Sequence, residues 1–279
     1  MSPDSFSVVI LNHNYGHFLG PCIQSALEQT LSPIEIIVID DGSTDGSWKL
    51  LEDWTHRHSK ILRAIRTERS GQAAALNLGI ASSRGEWVAF LDADDYWFPR
   101  KLETTRREIH DQDVVCIQHY LEIRREPPKE NQREGIYPEI LPPVITLRDY
   151  FRSGNTDFFT ATSGLTIRRS VLNRIAPLDE SWKICADVVL TRPLPIFGKV
   201  LTLSDPLGVY RVHGANQWYG TEARTHYVEN YLSRIQAAND ALKRFGVQGR
   251  IRPERNLNYL AERFVRGPIR RCLKRLQKV

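Results

Sequence analysis

The chain has 279 residues, of which 41% are hydrophobic and 25% charged, and this composition is that of an ordinary globular protein. No apolar run approaches the ~20 residues that cross a bilayer, and the start of the chain lacks the pattern of a signal peptide. The four cysteines lie far apart and form no Cys-x-x-Cys pair, which argues against a disulfide framework or a zinc site and favours a reducing compartment.

The first half of the chain alternates strand-like with helix-like segments. Short apolar runs predict strands at residues 7–11, 34–40, 61–65, 87–92 and 113–123. Helical spacing predicts helices at residues 18–29, about 47–58 and 71–83, and Pro99 suits the first turn of the next helix. Such alternation is typical of βαβ units, so we predict an α/β fold with a Rossmann-like, mainly parallel sheet flanked by helices.

The second half is less regular. Residues 124–143 are polar and proline-rich, which predicts a loop or insertion. Residues 163–172 predict a short strand followed by a helix, and residues 198–214 predict two further strands. From Thr221 the pattern is helical and increasingly basic, so we predict a helical, basic C-terminal extension.

The net charge of +5 hides an asymmetry between the body of the chain and its end. Residues 243–279 contain 12 Lys and Arg against two acids, a charge of +10, so the remainder carries −5. The alkaline pI therefore says little about the ligand of the body.

Two groups of acids fall at predicted strand ends, Asp40-Asp41 and Asp92, Asp94 and Asp95. Ligands of parallel sheets gather at the carboxyl ends of the strands, so these acids are expected to line a cleft. Asp92 and Asp94 form an Asp-x-Asp pair, whose oxygens suit Mg²⁺ or Mn²⁺ shared with nucleotide phosphates. Each group taken alone is equally compatible with a turn.

Several signals together indicate a family. The stretches "SVVILNHNYGHFLGPCIQSALEQTLSPIEIIVIDDGSTDGS" and "GQAAALNLGIASSRGEWVAFLDADD" resemble the family 2 glycosyltransferases, which have a GT-A fold. The resemblance is dense over residues 7–97 and thinner over residues 162–216. It implies a GT-A domain at 1–218, with a nucleotide-binding half at 1–123 and an acceptor-side half at 124–218, followed by the extension at 219–279.

The resemblance implies roles for residues at the strand ends. The end of the first strand, with Leu11, Asn12 and Asn14, packs along the nucleotide base. Asp40 hydrogen-bonds the base, Asp41 lies beside it, and Gln72 approaches the nucleotide from the next loop. An ionised carboxylate that accepts from a base N–H makes a strong, directional contact.

The resemblance also implies a site for a divalent metal ion, Mn²⁺ or Mg²⁺. Asp94 is the expected direct ligand, and Asp92 reaches the ribose or the metal, with Ala93 beside the nucleotide. Asp95 is expected to cap a helix or support its neighbours. His213 is expected to contact metal or phosphate, although a lone histidine is as often simply packed or solvated. Arg211 is a candidate partner for phosphate.

Inverting transfer needs a general base to take the proton of the acceptor hydroxyl. By resemblance the base is the Asp of a Glu-Asp-like motif before a helix, which here falls on Ala186-Asp187. Asp187 is therefore the candidate catalytic residue. The companion Glu is missing, so Asp179 and Glu180 remain alternatives, as does a structural role for Asp187 at a helix end.

The predicted activity is metal-dependent, inverting transfer of a sugar from a nucleotide-diphosphate donor, most simply UDP-linked. The acceptor would be a saccharide or lipid-linked hydroxyl in polysaccharide or glycoconjugate synthesis. A dehydrogenase should show Gly-x-Gly-x-x-Gly after its first strand, and "LNHNYGHF" supplies one glycine only. A nucleotidyltransferase would want a glycine-rich basic loop, which is also missing. A non-catalytic nucleotide-sugar-binding or scaffold protein remains the alternative.

The C-terminal segment 263–279 interleaves apolar residues with Arg and Lys at helical spacing. Two interpretations stay open: a peripheral contact with an anionic membrane surface, or a helix docked on the domain with a solvated charged face. Nucleic-acid binding is a poorer explanation because the body is acidic and no recognition motif is present. We expect a cytoplasmic protein, at the inner face of the membrane if the tail binds lipid.

Overall fold

The computed structural model describes residues 4–126, 135–214, 216, 227–261 and 263. The strands in this part are β1 Phe6–Asn12, β2 Glu35–Asp41, β3 Leu62–Thr67, β4 Trp87–Asp92, β5 Tyr96–Trp97, β6 Val114–Arg125, β7 Ile136–Tyr137, β8 Val144–Ile145, β9 Leu165–Arg168 and β10 Lys199–Val212. The helices are α1 Gly16–Leu27, α2 Ser47–Arg57, α3 Gln72–Ser82, α4 Lys101–Arg107, α5 Leu147–Ser153, α6 Arg169–Ile175, α7 Asp187–Thr191, α8 Leu194–Phe197, α9 Tyr227–Arg244 and α10 Leu257–Ala261.

All of these strands join one sheet in the order β3-β2-β1-β4-β9-β6-β10-β5, with β7 paired to β6 and β8 to β10. Neighbours from β3 to β4 are parallel, and so are β6 and β10. The four antiparallel members are short: β9 pairs antiparallel with both β4 and β6, β5 and β8 with β10, and β7 with β6. The prediction of a mainly parallel α/β sheet is confirmed.

Helices cover both faces of the sheet, as the strand sequences require. Along β1, Val8 and Ile10 pack in one apolar cluster with α1, α2 and α4, while Val9 and Leu11 pack in another with α3, α6 and α9. Side chains alternate between the two faces of a strand, so a run that is apolar at every position is buried on both sides. Gly79 allows α3 to approach β1 closely, since a Cβ there would lie 2.5 Å from Val9.

One element differs from its prediction. Residues 198–214 were expected to form two strands, but one continuous strand, β10, covers Lys199–Val212. Register shifts on either side of Pro206 absorb the proline, so β10 continues along β6 without a turn. Proline is tolerated in a strand at such a bulge.

Helix α9 belongs to the same core as the sheet. Its side chains Tyr231, Ile235, Ala238 and Leu242 are buried in the cluster that includes Val9. The division of the chain at residue 218 stays a proposal. Strand β10 and helix α9, on either side of that boundary, contribute to the same apolar cluster. The basic segment beyond residue 263 lies outside the described residues.

Candidate active site

A cavity of about 630 Å³ lies at the carboxyl ends of β1, β2 and β4. Seven of the residues singled out from the sequence line it: Leu11, Asn12, Asp41, Gln72, Asp92, Asp94 and Asp187. Four others lie outside its lining: Asn14, Asp40, Ala93 and His213. Parallel strands end at one edge of the sheet, which is why residues far apart in sequence meet here.

The two acids that end β2 have different surroundings. Asp40 is fully buried and accepts hydrogen bonds from Asn12 Nδ2 at 2.7 Å and from the Ser43 N–H at 3.4 Å. Asp41 faces the cavity and accepts from the N–H groups of Ser70 and Gly71 at 2.7 and 2.9 Å. Asp41 therefore fixes the loop before α3, while Asp40 is enclosed by the ends of β1 and β2.

The end of β1 shapes the floor of the cavity. Leu11 lines it, and its carbonyl oxygen accepts from the Ala93 N–H at 3.0 Å, so Ala93 is held against β1 and buried. Asn14 has a φ of +59° and its side-chain oxygen accepts from the Thr44 N–H at 2.7 Å. Asn14 thus joins the turn after β1 to the turn after β2, beside the cavity.

The amino end of α3 is closed by the loop that precedes α7. The N–H groups of Gln72 and Ala73 donate to the carbonyl oxygens of Lys183 and Trp182 at 3.0 and 3.2 Å. The side-chain oxygen of Gln72 accepts from the Ala186 N–H at 2.8 Å. Gln72 therefore lines the cavity but also holds the loop that carries Asp187, a contact that sequence analysis did not anticipate.

Three carboxyl groups cluster after β4. Burial raises the pKa of Asp92, and the negative charges of Asp94 and Asp187 raise it further, against a hydrogen bond from Thr162. Burial also raises the pKa of Asp95, and the negative charges of Asp94 and Asp92 raise it further. Asp95 is buried and accepts from Ser163 Oγ at 2.5 Å and from the Arg211 N–H at 2.9 Å, which is the supporting role expected of it.

His213 and Asn216 lie against Asp94. His213 Nε2 is 3.2 Å from Asp94 Oδ2, and Asn216 Nδ2 is 3.4 Å from the same oxygen. The imidazole stacks on Phe18 with ring centroids 4.3 Å apart. His213 is thus packed between Asp94 and Phe18, at the border of the cavity that Asp94 and Asn216 line.

Arg211 lies beneath the acid cluster. Its guanidinium donates to the carbonyl oxygens of Asp94 and of Phe18, the latter at 3.0 Å, and its side chain is only 4% exposed. These contacts hold the turn that carries Asp94 against α1.

Asp187 begins α7 on the opposite side of the cavity. The residue two positions earlier, Cys185, has a φ of +54°, which is uncommon for a side chain with a Cβ and is characteristic of positions that the surrounding structure holds in place. Asp187 and Asp92 both line the cavity, and the negative charge of Asp187 contributes to the raised pKa of Asp92. Asp179 and Glu180, the alternatives, are exposed and outside the lining.

Other cavity residues were missed in the sequence, namely Tyr137, Asp157, Arg192, Tyr210 and Arg234. They come from β7, the segment after α5, the end of α7, β10 and α9. Only Tyr210 lay in a stretch that the sequence analysis had singled out, next to Arg211 and His213. The other four could not be identified, because contacts between distant segments leave no local pattern.

Within the described residues, no group of three or more His, Cys, Asp or Glu side chains is arranged to hold a metal ion. In the same part of the chain, no helix is long and apolar enough to cross a membrane.

Comparison with known proteins adds to this geometry. Residues 7–176 match the family model for glycosyl transferase family 2. An uncharacterised glycosyltransferase of Nostoc sp. is 36% identical over 265 residues, which cover 92% of this chain and 82% of that protein. A UDP-Glc:α-D-GlcNAc-diphosphoundecaprenol β-1,3-glucosyltransferase of Escherichia coli is 35% identical over 96 residues, 34% of this chain and 38% of that protein.

Solved structures share the fold. S. aureus TarS 1–349 in complex with UDP-GlcNAc superposes with a TM-score of 0.62 at 18% identity, covering 94% of this chain and 74% of that one. A mannosyltransferase from Pyrobaculum calidifontis in complex with GDP-Man and Mn²⁺ superposes with a TM-score of 0.55 at 20% identity, covering 92% and 68%. At these identities the likeness concerns the GT-A fold alone.

Proposed function

The chain belongs to glycosyl transferase family 2 and is a glycosyltransferase, and on that premise we propose that it transfers a sugar from a nucleotide-diphosphate donor, with inversion, to a hydroxyl of a saccharide or lipid-linked acceptor. The observation that carries the proposal is one cavity with Asp41, Asp92 and Asp94 on one side and Asp187 on the other. UDP is the nucleotide we expect, since UDP donors are named for the relative from E. coli and for TarS.

We assign the nucleotide to the side of the cavity formed by the ends of β1, β2 and β4. Leu11 and Asn12 would lie along the base, with Ala93 behind them. Of the acids that end β2, Asp41 is the one that faces the cavity, so it is the better placed to accept from a base N–H. Asp40 and Asn14 would act by holding the two turns, and Gln72 by holding its loop.

The acid cluster fits a divalent cation. Asp92 and Asp94 repel one another, and burial together with that repulsion raises the pKa of Asp92, so a positive charge beside them would be favoured. Asp94 and Asp92 would hold Mn²⁺ or Mg²⁺ together with oxygens of the donor, because Mg²⁺ commonly takes only one or two protein carboxylates. His213, expected from the sequence to contact metal or phosphate, would instead orient the Asp94 carboxylate, from which its Nε2 is 3.2 Å away. When bound there, the ion would neutralise charge that develops on the leaving diphosphate.

Asp187 is the proposed general base. In a single in-line displacement, the acceptor oxygen forms a bond to the anomeric carbon while the bond to the diphosphate breaks, and the hydroxyl proton goes to the Asp187 carboxylate. Gln72 and the strained Cys185 hold the loop before this residue. The alternative, a non-catalytic nucleotide-sugar-binding or scaffold protein, would not need the Asp187 carboxylate in the lining of the cavity.

The first experiment is calorimetric titration of UDP, GDP and dTDP, each with Mn²⁺ and then with EDTA. We expect one nucleotide to bind only with the metal and the Asp94→Asn variant to lose that binding. Asp53→Asn, an exposed acid on α2, is the matched control. If no nucleotide binds the wild type under either condition, the proposed function is wrong.

Assays of sugar transfer then test whether Asp187 is the general base. With sugars carried on the nucleotide that binds, Asp187→Asn should lower kcat by about 10²-fold or more while the nucleotide affinity holds. Asp179→Asn, on the exposed turn before the same loop, should retain activity. The reverse result would make Asp179 the base, and full activity in both variants would exclude either residue.

The location of the enzyme is a further part of the proposal. We expect a cytoplasmic protein whose basic C-terminal segment contacts an anionic membrane surface where lipid-linked acceptors lie. Co-sedimentation of the full chain with vesicles containing phosphatidylglycerol should fall when the Lys and Arg residues of 264–279 are replaced by Gln. Equal sedimentation would instead favour the docked helix.

A further inference from the structure

The cavity is also lined by five residues to which the proposed function assigns no role. Tyr137 and Tyr210 form an aromatic wall, and Asp157, Arg192 and Arg234 form a charged one. Arg234 comes from α9, which lies beyond the residues matched by the family model. Arg192 and Tyr210 also lie beyond that stretch, whereas Tyr137 and Asp157 lie within it.

The aromatic wall extends between the metal-side acids and Asp187. The rings of Tyr137 and Tyr210 stack with centroids 5.3 Å apart and planes 25° apart. Burial and then the negative charge of Asp187 raise the pKa of Tyr137, whereas burial and then Asp95 and Asp94 raise the pKa of Tyr210. The N–H of Arg211, the residue after Tyr210, donates to Asp95, so Tyr210 lies beside the acid cluster, and Tyr137 lines the same cavity as Asp187.

The charged wall is held together by one carboxylate. Asp157 Oδ1 is 3.1 Å from a terminal nitrogen of Arg192, and Asp157 Oδ2 is 2.9 Å from one of Arg234. The Arg192 side chain is 5% exposed, while those of Asp157 and Arg234 are about a quarter exposed. Arg192 therefore fixes Asp157 from behind, and Asp157 and Arg234 present planar polar groups to the cavity.

This combination has a recognisable ligand chemistry. An aromatic face packs against the C–H face of a pyranose ring, while rigid planar carboxylate and guanidinium groups accept from and donate to neighbouring hydroxyls. The charges of Arg192 and Arg234 are balanced by Asp157 and the nearby Asp187, so the wall favours a neutral polyhydroxyl group over an anion.

We propose that Tyr137, Tyr210, Asp157 and Arg234 form a subsite for the terminal pyranose of the acceptor, with the hydroxyl that reacts directed at Asp187. The acceptor is accordingly a saccharide, free or carried on a lipid, and not a simple lipid or side-chain hydroxyl. This inference rests on the proposed function, because it takes Asp187 as the base.

The test uses the full chain, the nucleotide sugar found to be a donor, and a panel of 4-nitrophenyl pyranosides as acceptors, with glycerol as an acceptor without a ring. The wild type should transfer to at least one pyranoside with a far lower KM than to glycerol. Tyr137→Ala should raise that KM by about tenfold or more, equivalent to ~1.4 kcal/mol, and leave the dissociation constant of UDP unchanged. Arg234→Met should also raise the KM for the pyranoside.

Matched controls separate this role from a structural one. Ile136→Ala changes the adjacent, exposed residue of the same strand, and Arg244→Met changes an exposed arginine at the end of the same helix. Both should keep the wild-type KM. Tyr137→Phe retains the ring and should stay within about threefold of the wild-type KM, which shows that the ring and not the hydroxyl is needed. A fold defect in Tyr137→Ala would be recognised because it would also change the dissociation constant of UDP.

Other outcomes overturn the inference. Equal loss of UDP binding and pyranoside transfer in Tyr137→Ala would assign the tyrosines to the donor. A wild type that binds UDP but neither binds nor glycosylates any pyranoside would exclude a saccharide subsite. Failure to bind any nucleotide is a different result, because it removes the proposed function itself.

Discussion

Asp40 and Asp41 are adjacent in the chain, yet their side chains serve different parts of the molecule. Asp40 is enclosed and bound to Asn12 and Ser43, whereas Asp41 faces the cavity and holds the loop at Gly71. The sequence placed both acids at the end of a strand, but it could not show which one faces the cavity. That distinction depends on how the ends of β1 and β2 pair, which is a contact between distant segments.

Substitution of each acid should separate stability from binding. Asp40→Ala leaves the Asn12 amide and the Ser43 N–H without their buried acceptor, so we expect it to lower the free energy of unfolding by about 2 kcal/mol. Asp41→Ala should weaken nucleotide binding by about tenfold, because it removes the proposed acceptor of the base N–H and releases the loop at Ser70 and Gly71. Urea denaturation and calorimetric titration measure the two effects, and a weaker nucleotide affinity in Asp40→Ala than in Asp41→Ala would contradict the assignment.

Lys101 is a buried amine that has no carboxylate partner among the residues that the structure describes. Its Nζ donates to Thr166 Oγ1 at 2.7 Å and lies 4.1 Å from the centroid of the Trp97 ring. Burial lowers the pKa of Lys101 well below its ordinary value. The unfolded chain therefore binds a proton that the folded chain releases, and stability rises with pH between the folded and the unfolded pKa.

Lys101→Met keeps the apolar stem and removes the proton uptake on unfolding. We expect the variant to be as stable as the wild type, or more stable by about 1 kcal/mol, at pH 7. The stability gain between pH 7 and pH 9.5 should be smaller in the variant than in the wild type. Urea denaturation at both pH values measures this, and an equal gain in both proteins would show that Lys101 stays protonated in the fold.

At the scale of elements, the amino end of α3 links the two sides of the cavity. Asp41 holds Gly71, and carbonyl oxygens of the loop 182–186 accept from the N–H groups of the first turn of α3. That loop continues into Asp187. Gly71 has a φ of +95°, and a Cβ there would lie 2.9 Å from the Cα of Lys183. A side chain at this position would displace the loop that carries Asp187.

Gly71→Ala should therefore lower kcat by about tenfold or more and stability by ~1–2 kcal/mol, the order of cost of a left-handed conformation. Gly20→Ala is the matched control, because a Cβ there meets nothing within 4 Å. Its stability should stay within about 0.5 kcal/mol of the wild type. Equal activity of the two variants would show that the position of the loop does not matter for turnover.

The elements themselves were predictable where a local pattern defines them. Continuous apolar runs identified β1, β2 and β4, and the helical spacing of residues 71–83 identified α3. The pattern failed at β10, which was predicted as two strands and is instead one strand with a bulge at Pro206, supported by pairing with β6. The charged wall formed by Asp157, Arg192 and Arg234 had no local pattern, because its members come from three separate segments.

At the scale of the whole molecule, the sheet and α9 enclose a cavity lined with acids. Burial and mutual repulsion raise the pKa of Asp92 and Asp95, so their ionised forms are costly until a cation or donor is bound. Ligands that bind only the folded protein should therefore stabilise it by mass action.

We expect Mn²⁺ and UDP together to raise the thermal midpoint more than the sum of their separate effects, because each would complete the site for the other. At 100 times the dissociation constant, a ligand adds about 2.7 kcal/mol to the free energy of unfolding. Thermal unfolding with Mn²⁺, UDP, both, and both plus EDTA measures this. Additive shifts would mean that metal and nucleotide bind independently. The same shifts in Asp94→Asn as in the wild type would mean that Asp94 does not link the two ligands.

The loop that closes α3 has a consequence for the energetics of the leaving group. The free N–H groups at a helix amino end are a common place for phosphate to bind, as in dinucleotide-binding folds. Here the N–H groups of Gln72 and Ala73 already donate to Lys183 and Trp182. These two N–H groups are therefore not available to a diphosphate, whose charge would have to be neutralised by the proposed cation and by cationic side chains of the lining such as Arg69 and Lys183.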